Sequence, residues 1–423
     1  MKAVVLAAGK GERLIPLTET RPKHLLPVGG APLLEWSLRG LASVGIREVL
    51  LVTHYMEERI VDCFGDGSGL GLDISYIRQR EMGGTSDAFW MAEGFVDGEE
   101  FLGLYGDLFV APDCIKTLIR AHRKRETTLC AVPVDDPSQT GVLVLDGDIV
   151  KDIVEKPAPG EEPSNLGNAG IYIFTHEIFP FIRKTVVSSR GEYEVTDSIK
   201  AMIGSGASVR AVTLPKEGWF DVGLPWNLLD ANARALSVLE PSVGGKVEEG
   251  AKIIGSVKVD EGARVRSGAY IEGPTYIGPG SDIGPNCYIR PATSIGADVR
   301  IGNACEVKNS IIMNGTNVAH LSYVGDSVIG EGCNLGAGTI TANLRFDDKS
   351  VRVNIKGKPI DSKRRKLGTI MGDNVQTGIN VNIMPGVKVG AGAWIAPGLT
   401  VYEDVPSDIL LRSEKPGLKK SLK

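Results

Sequence analysis

Residues 265–301 read VRSGAYIEGPTYIGPGSDIGPNCYIRPATSIGADVRI, and every sixth position (Val265, Ile271, Ile277, Ile283, Ile289, Ile295, Ile301) is Val or Ile. The period extends outward, to Val247, Ile253 and Val259 on one side and to Val307 on the other. It slips after Val307, resumes through Val318 and Val324, and runs again through Thr377, Ile383, Val389, Ile395 and Val401. A six-residue period of branched apolar side chains is the pattern of a parallel β-helix. Each hexad forms one flat side of a coil, and three hexads close a coil of about 18 residues. The branched side chain turns inward and stacks on its counterpart in the next coil. The glycines that follow, as in Ile277-Gly278 and Ile283-Gly284, admit the corner. Repeated corners account for 53 glycines in 423 residues, well above the usual level of about 7%.

Residues N-terminal to this repeat have a different texture. Short apolar runs such as Lys2–Ala7, Glu48–Thr53, Phe101–Tyr105 and Ile171–Phe174 alternate with helical spacings such as Leu33–Val44 and Cys114–Lys124. That alternation predicts a mostly parallel sheet with helices on its faces, a Rossmann-like α/β unit with ligands beyond the carboxyl ends of the strands. The expected organisation is therefore residues 1–235 as α/β domain, 240–405 as β-helix and 406–423 as C-terminal tail.

Composition narrows the function classes. Lys and Arg number 47 against 52 Asp and Glu, a net charge of −5, which argues against broad nucleic-acid binding. No apolar run has the length of a membrane span, and the six-residue run Ala3–Ala8 is too short for a signal peptide. Six cysteines without a C-x-x-C pair read as free, buried thiols in a reducing cytoplasm.

Two stretches carry chemistry. The first is Leu6-Ala7-Ala8-Gly9-Lys10-Gly11-Glu12-Arg13, followed by Pro16-x-Thr18 and Arg21-Pro22-Lys23. A strand entering Gly-x-Gly lets backbone N–H groups approach phosphates, and Arg13 and Lys23 add positive charge. It is neither a Walker A loop nor a dinucleotide fingerprint. The second stretch lies in the repeat: His320-Leu321-Ser322-Tyr323-Val324-Gly325-Asp326, followed by Asn334 to Asn343. A histidine there suits proton transfer at neutral pH.

The full N-terminal string resembles the signature of sugar-1-phosphate nucleotidylyltransferases. The second stretch resembles the acetyltransferase domain of the bifunctional N-acetylglucosamine-1-phosphate uridylyltransferase/glucosamine-1-phosphate acetyltransferases. The whole pattern looks most like their archaeal type. The resemblance implies a left-handed β-helix, a homotrimer assembled through it, and two reactions. One acetylates an amino-sugar 1-phosphate (glucosamine- or galactosamine-1-phosphate) with acetyl-CoA. The other transfers a nucleotidyl group from UTP or dTTP to a sugar 1-phosphate such as N-acetylglucosamine-1-phosphate or glucose-1-phosphate. An alternative is a single-function nucleotidylyltransferase whose β-helix serves only assembly or regulation.

The resemblance also implies roles for residues. Leu6, Ala8, Gly9, Gly11, Gln79, Gly84 and Thr85 would bind the nucleotide, with Arg13 and Lys23 as catalytic cations. Asp107 and Asp221 would hold Mg²⁺, and Gly141, Glu155 and Asn168 the sugar phosphate. In the acetyl site His320 would be general base. Arg290, Lys308, Tyr323, Asn334 and Lys349 would bind the sugar phosphate, Glu306 would be an orienting acid, and Ala337 and Ala396 would contact acetyl-CoA. Asp221 stands where the bacterial bifunctional enzymes have Asn, in a Trp-Phe-Asp string closer to thymidylyltransferases, which leaves UTP and dTTP both open. Residues 351–367 form an additional loop with the run Lys363-Arg364-Arg365-Lys366. It reads either as a solvated basic loop or as a cover for coenzyme A or sugar phosphate.

Overall fold

The computed structural model describes residues 1–413, and the basic C-terminal run 419–423 lies outside them. The chain packs as two compact units. The first comprises Met1–Lys10, Pro22–Leu25 and Pro32–Asp221, and the second comprises Gly11–Arg21, Leu26–Ala31 and Val222 onward.

The first unit is built on a nine-stranded sheet. In spatial order its strands are Asp73–Arg78, Glu48–Thr53, Lys2–Ala7, Phe101–Tyr105, Leu166–Phe174, Thr127–Pro133, Val209–Thr213, Ile149–Glu155 and Gly141–Asp146. The first four run parallel. Leu166–Phe174 is antiparallel to both of its sheet-order neighbours, and Ile149–Glu155 is antiparallel to both of its own. The sheet is therefore mixed rather than mostly parallel. The strands at 141–155 form a hairpin across Gly147, which needs no crossover helix. Side chains alternate across the sheet. Ala3, Val5 and Ala7 enter one core with Leu34, Leu38 and Ile115. Val4 and Leu6 enter the other with Phe89, Phe101, Tyr172 and Phe174.

The second unit is the left-handed parallel β-helix, with three parallel sheets of eight, nine and eight strands. Its axis is filled by the predicted stack. Val265, Ile271, Ile277, Ile283, Ile289, Ile295, Ile301 and Val307 are all buried in one core. Burying a side chain of this size contributes roughly 1.5–3 kcal/mol. The first members fare differently: Val247 is exposed and Ile253 half-buried, because no coil covers the end of the stack.

The register slip has a simple cause. Successive coils pair at a spacing of 18 through Ile289↔Val307, and at 17 from Ile295↔Ile312 to Val324↔Thr341. One residue is missing between Val307 and Ile312. The spacing Ile329↔Met371 is longer because a hairpin of Arg352–Ile355 and Lys358–Asp361 is inserted. Strand Leu410–Leu411 pairs with Trp394–Ile395, so the β-helix continues past residue 405.

Segments 11–21 and 26–31 pack within this second unit. Arg21 donates to Glu331 Oε1 at 2.7 Å and pairs with Asp373, and Thr20 Oγ1 donates to Asp373 Oδ2 at 2.6 Å. Asn232 Oδ1 accepts from the backbone N–H of Gly29 and from Ser294 Oγ. The cysteines are all free, but Cys63 is exposed on helix Glu57–Phe64, against the expectation of burial. Among the described residues no helix is long and apolar enough to cross a membrane.

Candidate active sites

In the first unit, the carboxyl ends of Lys2–Ala7 and Phe101–Tyr105 lie side by side, with Leu6 opposite Tyr105. Gly9 follows the first strand and Asp107 the second. Lys23 crosses Gly9, since a Cβ there would lie 3.1 Å from its Nζ, and its ammonium pairs with Asp107. Burial pushes the Asp107 carboxyl up, but the charge and hydrogen bond of Lys23, with smaller local contributions, together outweigh it and the net shift is downward. His24 beneath them is buried, and burial together with Lys23 lowers its imidazole to about 3, so the ring is neutral. Asp221 ends the short strand Trp219–Asp221 and stands opposite Leu108, the residue after Asp107. Asp107 thus immediately precedes the ladder position that faces Asp221. Two hard carboxylates are ligands of the kind Mg²⁺ takes, since it keeps several waters. Among the described residues no cluster of three or more His, Cys, Asp or Glu forms a closed metal cage.

The expected base-reading residues also converge. Gln79 is buried and donates from Nε2 to Asp87 Oδ2 at 2.6 Å and to the Gly84 carbonyl at 3.3 Å. Gly84 has φ 110°, and a Cβ there would meet the Tyr193 carbonyl oxygen at 2.5 Å. Thr85 starts helix Thr85–Trp90, and its Oγ1 accepts from the Val195 N–H.

On the sugar side, Gly141 pairs with Glu155 across a hairpin, and a Cβ at 141 would lie 2.8 Å from Glu155 Oε2. Glu155 accepts from Arg190 at 2.9 Å and from Thr196 Oγ1 at 3.0 Å. Asn168 Nδ2 donates to the Tyr172 hydroxyl at 2.6 Å, which donates to the Tyr105 hydroxyl at 3.1 Å. Sequence reasoning missed both tyrosines as supports of this site. Tyr105 was visible as the residue before Gly106-Asp107, whereas Tyr172 reads as an ordinary strand residue. Gly11 and Arg13 belong to the segment packed in the second unit. Arg13 is exposed on the turn Glu12–Leu14, and Gly11 has a left-handed φ of 69°.

The β-helix places its candidate residues by register. Tyr288, Glu306 and Tyr323 stand opposite one another on successive coils, and His320 stands opposite Asn303 on the adjoining sheet. A groove of about 490 Å³ runs over these coils, lined by Tyr288, Glu306, Leu321, Ser322, Tyr323 and Ile340 among others. Arg290 donates to Glu306 Oε1 at 2.9 Å and lies over the Tyr288 ring. Glu306 is therefore held by Arg290, which gives its carboxylate a partner other than His320. Lys308 Nζ donates to Asp326 Oδ2 at 3.2 Å, and the Tyr323 hydroxyl accepts from Asn343 at 3.0 Å. His320 is exposed, as are Asn334 and Lys349. Lys349 sits in the exposed segment leading into the inserted hairpin. Ala337 and Ala396 follow strands Asn334–Leu335 and Trp394–Ile395 of the same nine-stranded sheet.

The inserted segment packs most of its apolar residues inward while Lys363 and Arg365 remain exposed. Val351, Val353, Ile355 and Leu367 are buried. Arg364 donates to Asp230 at 2.6 Å, and Arg365 donates to both oxygens of Asp348.

Residues 2–238 match the nucleotidyl transferase family, and residues 271–384 match the GMPPB C-terminal domain. A bifunctional protein GlmU from Methanocaldococcus jannaschii is 45% identical over 96% of both chains. The chain belongs to the bifunctional sugar-1-phosphate nucleotidylyltransferase/acetyltransferase family. A member bearing that description, from Sulfurisphaera tokodaii, is also 45% identical, over 96% of this chain and 98% of its own. A solved structure of a putative glucose-1-phosphate thymidylyltransferase from Bacillus anthracis superposes with TM-score 0.51 at 29% identity, covering 57% of this chain and 98% of its own. The family thus embraces both units, while the thymidylyltransferase likeness covers little more than half of the chain.

Proposed function

We propose that the chain performs acetyl transfer to an amino-sugar 1-phosphate in the β-helix and nucleotidyl transfer to the acetylated product in the α/β unit. The observation that carries this reading is the coincidence of two charge-bearing constellations. One is Lys23 on Asp107 at the strand ends. The other is a groove lined by Glu306 and Tyr323, with Arg290 bonded to Glu306 and Lys308 two residues beyond it.

In the acetyl reaction, His320 removes a proton from the sugar ammonium. The amine attacks the thioester carbonyl of acetyl-CoA and forms the C–N bond, the C–S bond breaks, and the proton that the nitrogen then sheds goes to the coenzyme A thiolate, which leaves as thiol. Arg290 and Lys308 hold the sugar phosphate. Asn334 and Lys349 extend that cation and amide set, and Ala337 and Ala396 leave room for acetyl-CoA. In the second reaction, a phosphate oxygen of the sugar phosphate attacks the α-phosphorus of UTP or dTTP, and pyrophosphate leaves. Gly9 and Gly11 admit the phosphates, Arg13 steadies the leaving group and Lys23 the reacting phosphates. Mg²⁺ held by Asp107 and Asp221 would neutralise charge on the triphosphate. Catalysis of this kind is positioning plus electrostatics. Gln79, Gly84 and Thr85 contact the base, and Gly141, Glu155 and Asn168 the sugar. The proposal assigns residues 1–235 to nucleotidyl transfer and 240–405 to acetyl transfer, in a cytoplasmic homotrimer with small-molecule substrates only.

The test measures coenzyme A thiol released from acetyl-CoA with glucosamine-1-phosphate or galactosamine-1-phosphate, and pyrophosphate released with UTP or dTTP. Release of both products establishes the reading and ranks the sugars and bases. Pyrophosphate without thiol, from folded protein, reduces the β-helix to a scaffold.

A further inference from the structure

Many corners of the β-helix carry a non-glycine residue at positive φ. Several follow one pattern. Asn286, Asp298, Asn374, Asn380 and Asp408 each bring a side-chain oxygen against a glycine of the preceding coil, at Gly268, Gly280, Gly332, Gly338 and Gly392 respectively. Asn and Asp tolerate this backbone conformation, so these are turn residues.

Asp326 departs from that pattern. Its φ is 49°, and its N–H bonds to the Lys308 carbonyl, as a corner residue's should. Its side chain is only 5% exposed, and the carboxylate gathers three side-chain donors. Oδ1 accepts from Asn309 Nδ2 at 2.7 Å, while Oδ2 accepts from Lys308 Nζ at 3.2 Å and from Asn343 Nδ2 at 2.6 Å. The Asn343 amide also donates to the Tyr323 hydroxyl at 3.0 Å. One buried carboxylate thus holds Lys308, a candidate sugar-phosphate ligand, directly and the groove-lining Tyr323 through Asn343. Gly325 keeps the space open: a Cβ there would collide with the Tyr323 hydroxyl and lie 2.6 Å from Asn343 Nδ2.

We propose that Asp326 is a positioning residue for acetyl transfer, fixing the Lys308 ammonium and the Tyr323 hydroxyl in one arrangement for the phosphorylated sugar. The inference rests on the acetyltransferase reading of the groove. A free lysine loses rotamer entropy whenever it meets a phosphate. A buried anion that already holds it removes part of that cost, and its charge keeps the ammonium from bonding elsewhere.

The test uses the full-length chain and Asp326→Asn, which retains size and tolerance for positive φ but not charge. Thiol release gives KM for glucosamine-1-phosphate and for acetyl-CoA, and pyrophosphate release reports folding elsewhere. The expected result is a KM for the sugar phosphate raised about ten-fold, with KM for acetyl-CoA within about two-fold. In a Lys308→Met background the same substitution is expected to cost clearly less than in wild type, because part of its effect runs through the lysine and only the Asn343–Tyr323 arm remains. Unchanged KM for the sugar in Asp326→Asn overturns the proposal. So does an equal loss toward both substrates that adds fully to Lys308→Met, the mark of a plain corner residue. If Asp326→Asn does not fold, Asp326→Glu, which keeps charge but moves it, is read by the same KM split and the same cycle. Wild type that releases pyrophosphate but no thiol with either amino-sugar phosphate overturns the acetyltransferase reading itself, and this inference with it.

Discussion

In the α/β unit, the candidate residues Gly9, Lys23, Gln79, Asp107, Glu155, Asn168 and Asp221 come from seven separate segments of the chain. In the β-helix, Tyr288, Glu306 and Tyr323 recur at one coil per step on a single sheet, and Arg290 and Lys308 sit two residues beyond the first two. A solenoid places function by register, because each coil contacts only its neighbours. A mixed sheet places it by topology, because loops at the strand ends have no fixed spacing. Damage should therefore stay local in the β-helix, whereas a change in the α/β unit disturbs residues far apart in sequence.

The largest effect that would break this comparison is at His320. Its exposed side chain makes removal cheap for folding, so His320→Ala is expected to lower thiol release about 10²–10⁴-fold while leaving pyrophosphate release unaffected. Parallel losses of both activities would show that the two units do not function separately. A matched pair of glycines sharpens the point at smaller magnitude. Gly170 has φ 68°, and a Cβ there collides with the Tyr105 ring. A left-handed conformation costs a non-glycine residue about 1–2 kcal/mol, before the collision is counted. Gly170→Ala is expected to reduce pyrophosphate release about ten-fold by moving Tyr105 and Asn168 together. Gly325→Ala pushes on Tyr323 and Asn343 instead, and is expected to reduce thiol release while sparing pyrophosphate. Steady-state assays of both products on both variants read out the two-by-two pattern.

This difference also explains what could be read in the sequence. The stack from Val259 to Val307 was legible residue by residue, since a period of six converts directly into burial. Even the slip after Val307 could be seen, but not its cause, because a deleted corner residue and an inserted hairpin both appear as lost register. The strands Lys2–Ala7, Glu48–Thr53 and Phe101–Tyr105 were legible from their apolar runs. The antiparallel course of Leu166–Phe174 was not, because a strand buried on both faces carries no sign of its direction. Lys23 and Asp107 belong to a recognisable motif, whereas Asp326 stands in the sequence only at the end of one. Its φ, burial and three donors are products of coils 17 residues apart, and corner aspartates elsewhere in the repeat look the same in sequence.

The smallest expected effect lies at an ion pair with no place in either site. Arg266 donates to both oxygens of Asp282 across the β-helix, each at 2.5 Å. These charge-assisted hydrogen bonds lower the Asp282 carboxyl against the opposing effect of partial burial. A carboxyl lowered in the folded state contributes stability that is present above the ordinary aspartate value of about 3.9 and is lost as pH falls through the lowered one. Both side chains keep about a quarter to a third of their exposure, so the contribution belongs at the weak end, below about 1 kcal/mol. Asp282→Asn is expected to lower Tm by a degree or two at pH 7, with both activities intact. The difference from wild type is expected to close as pH falls below the ordinary aspartate range. A large loss at pH 7, or any loss of thiol release, would mean that strain at one coil travels along the stack to the groove, and the β-helix would then resemble the α/β unit more than a solenoid should.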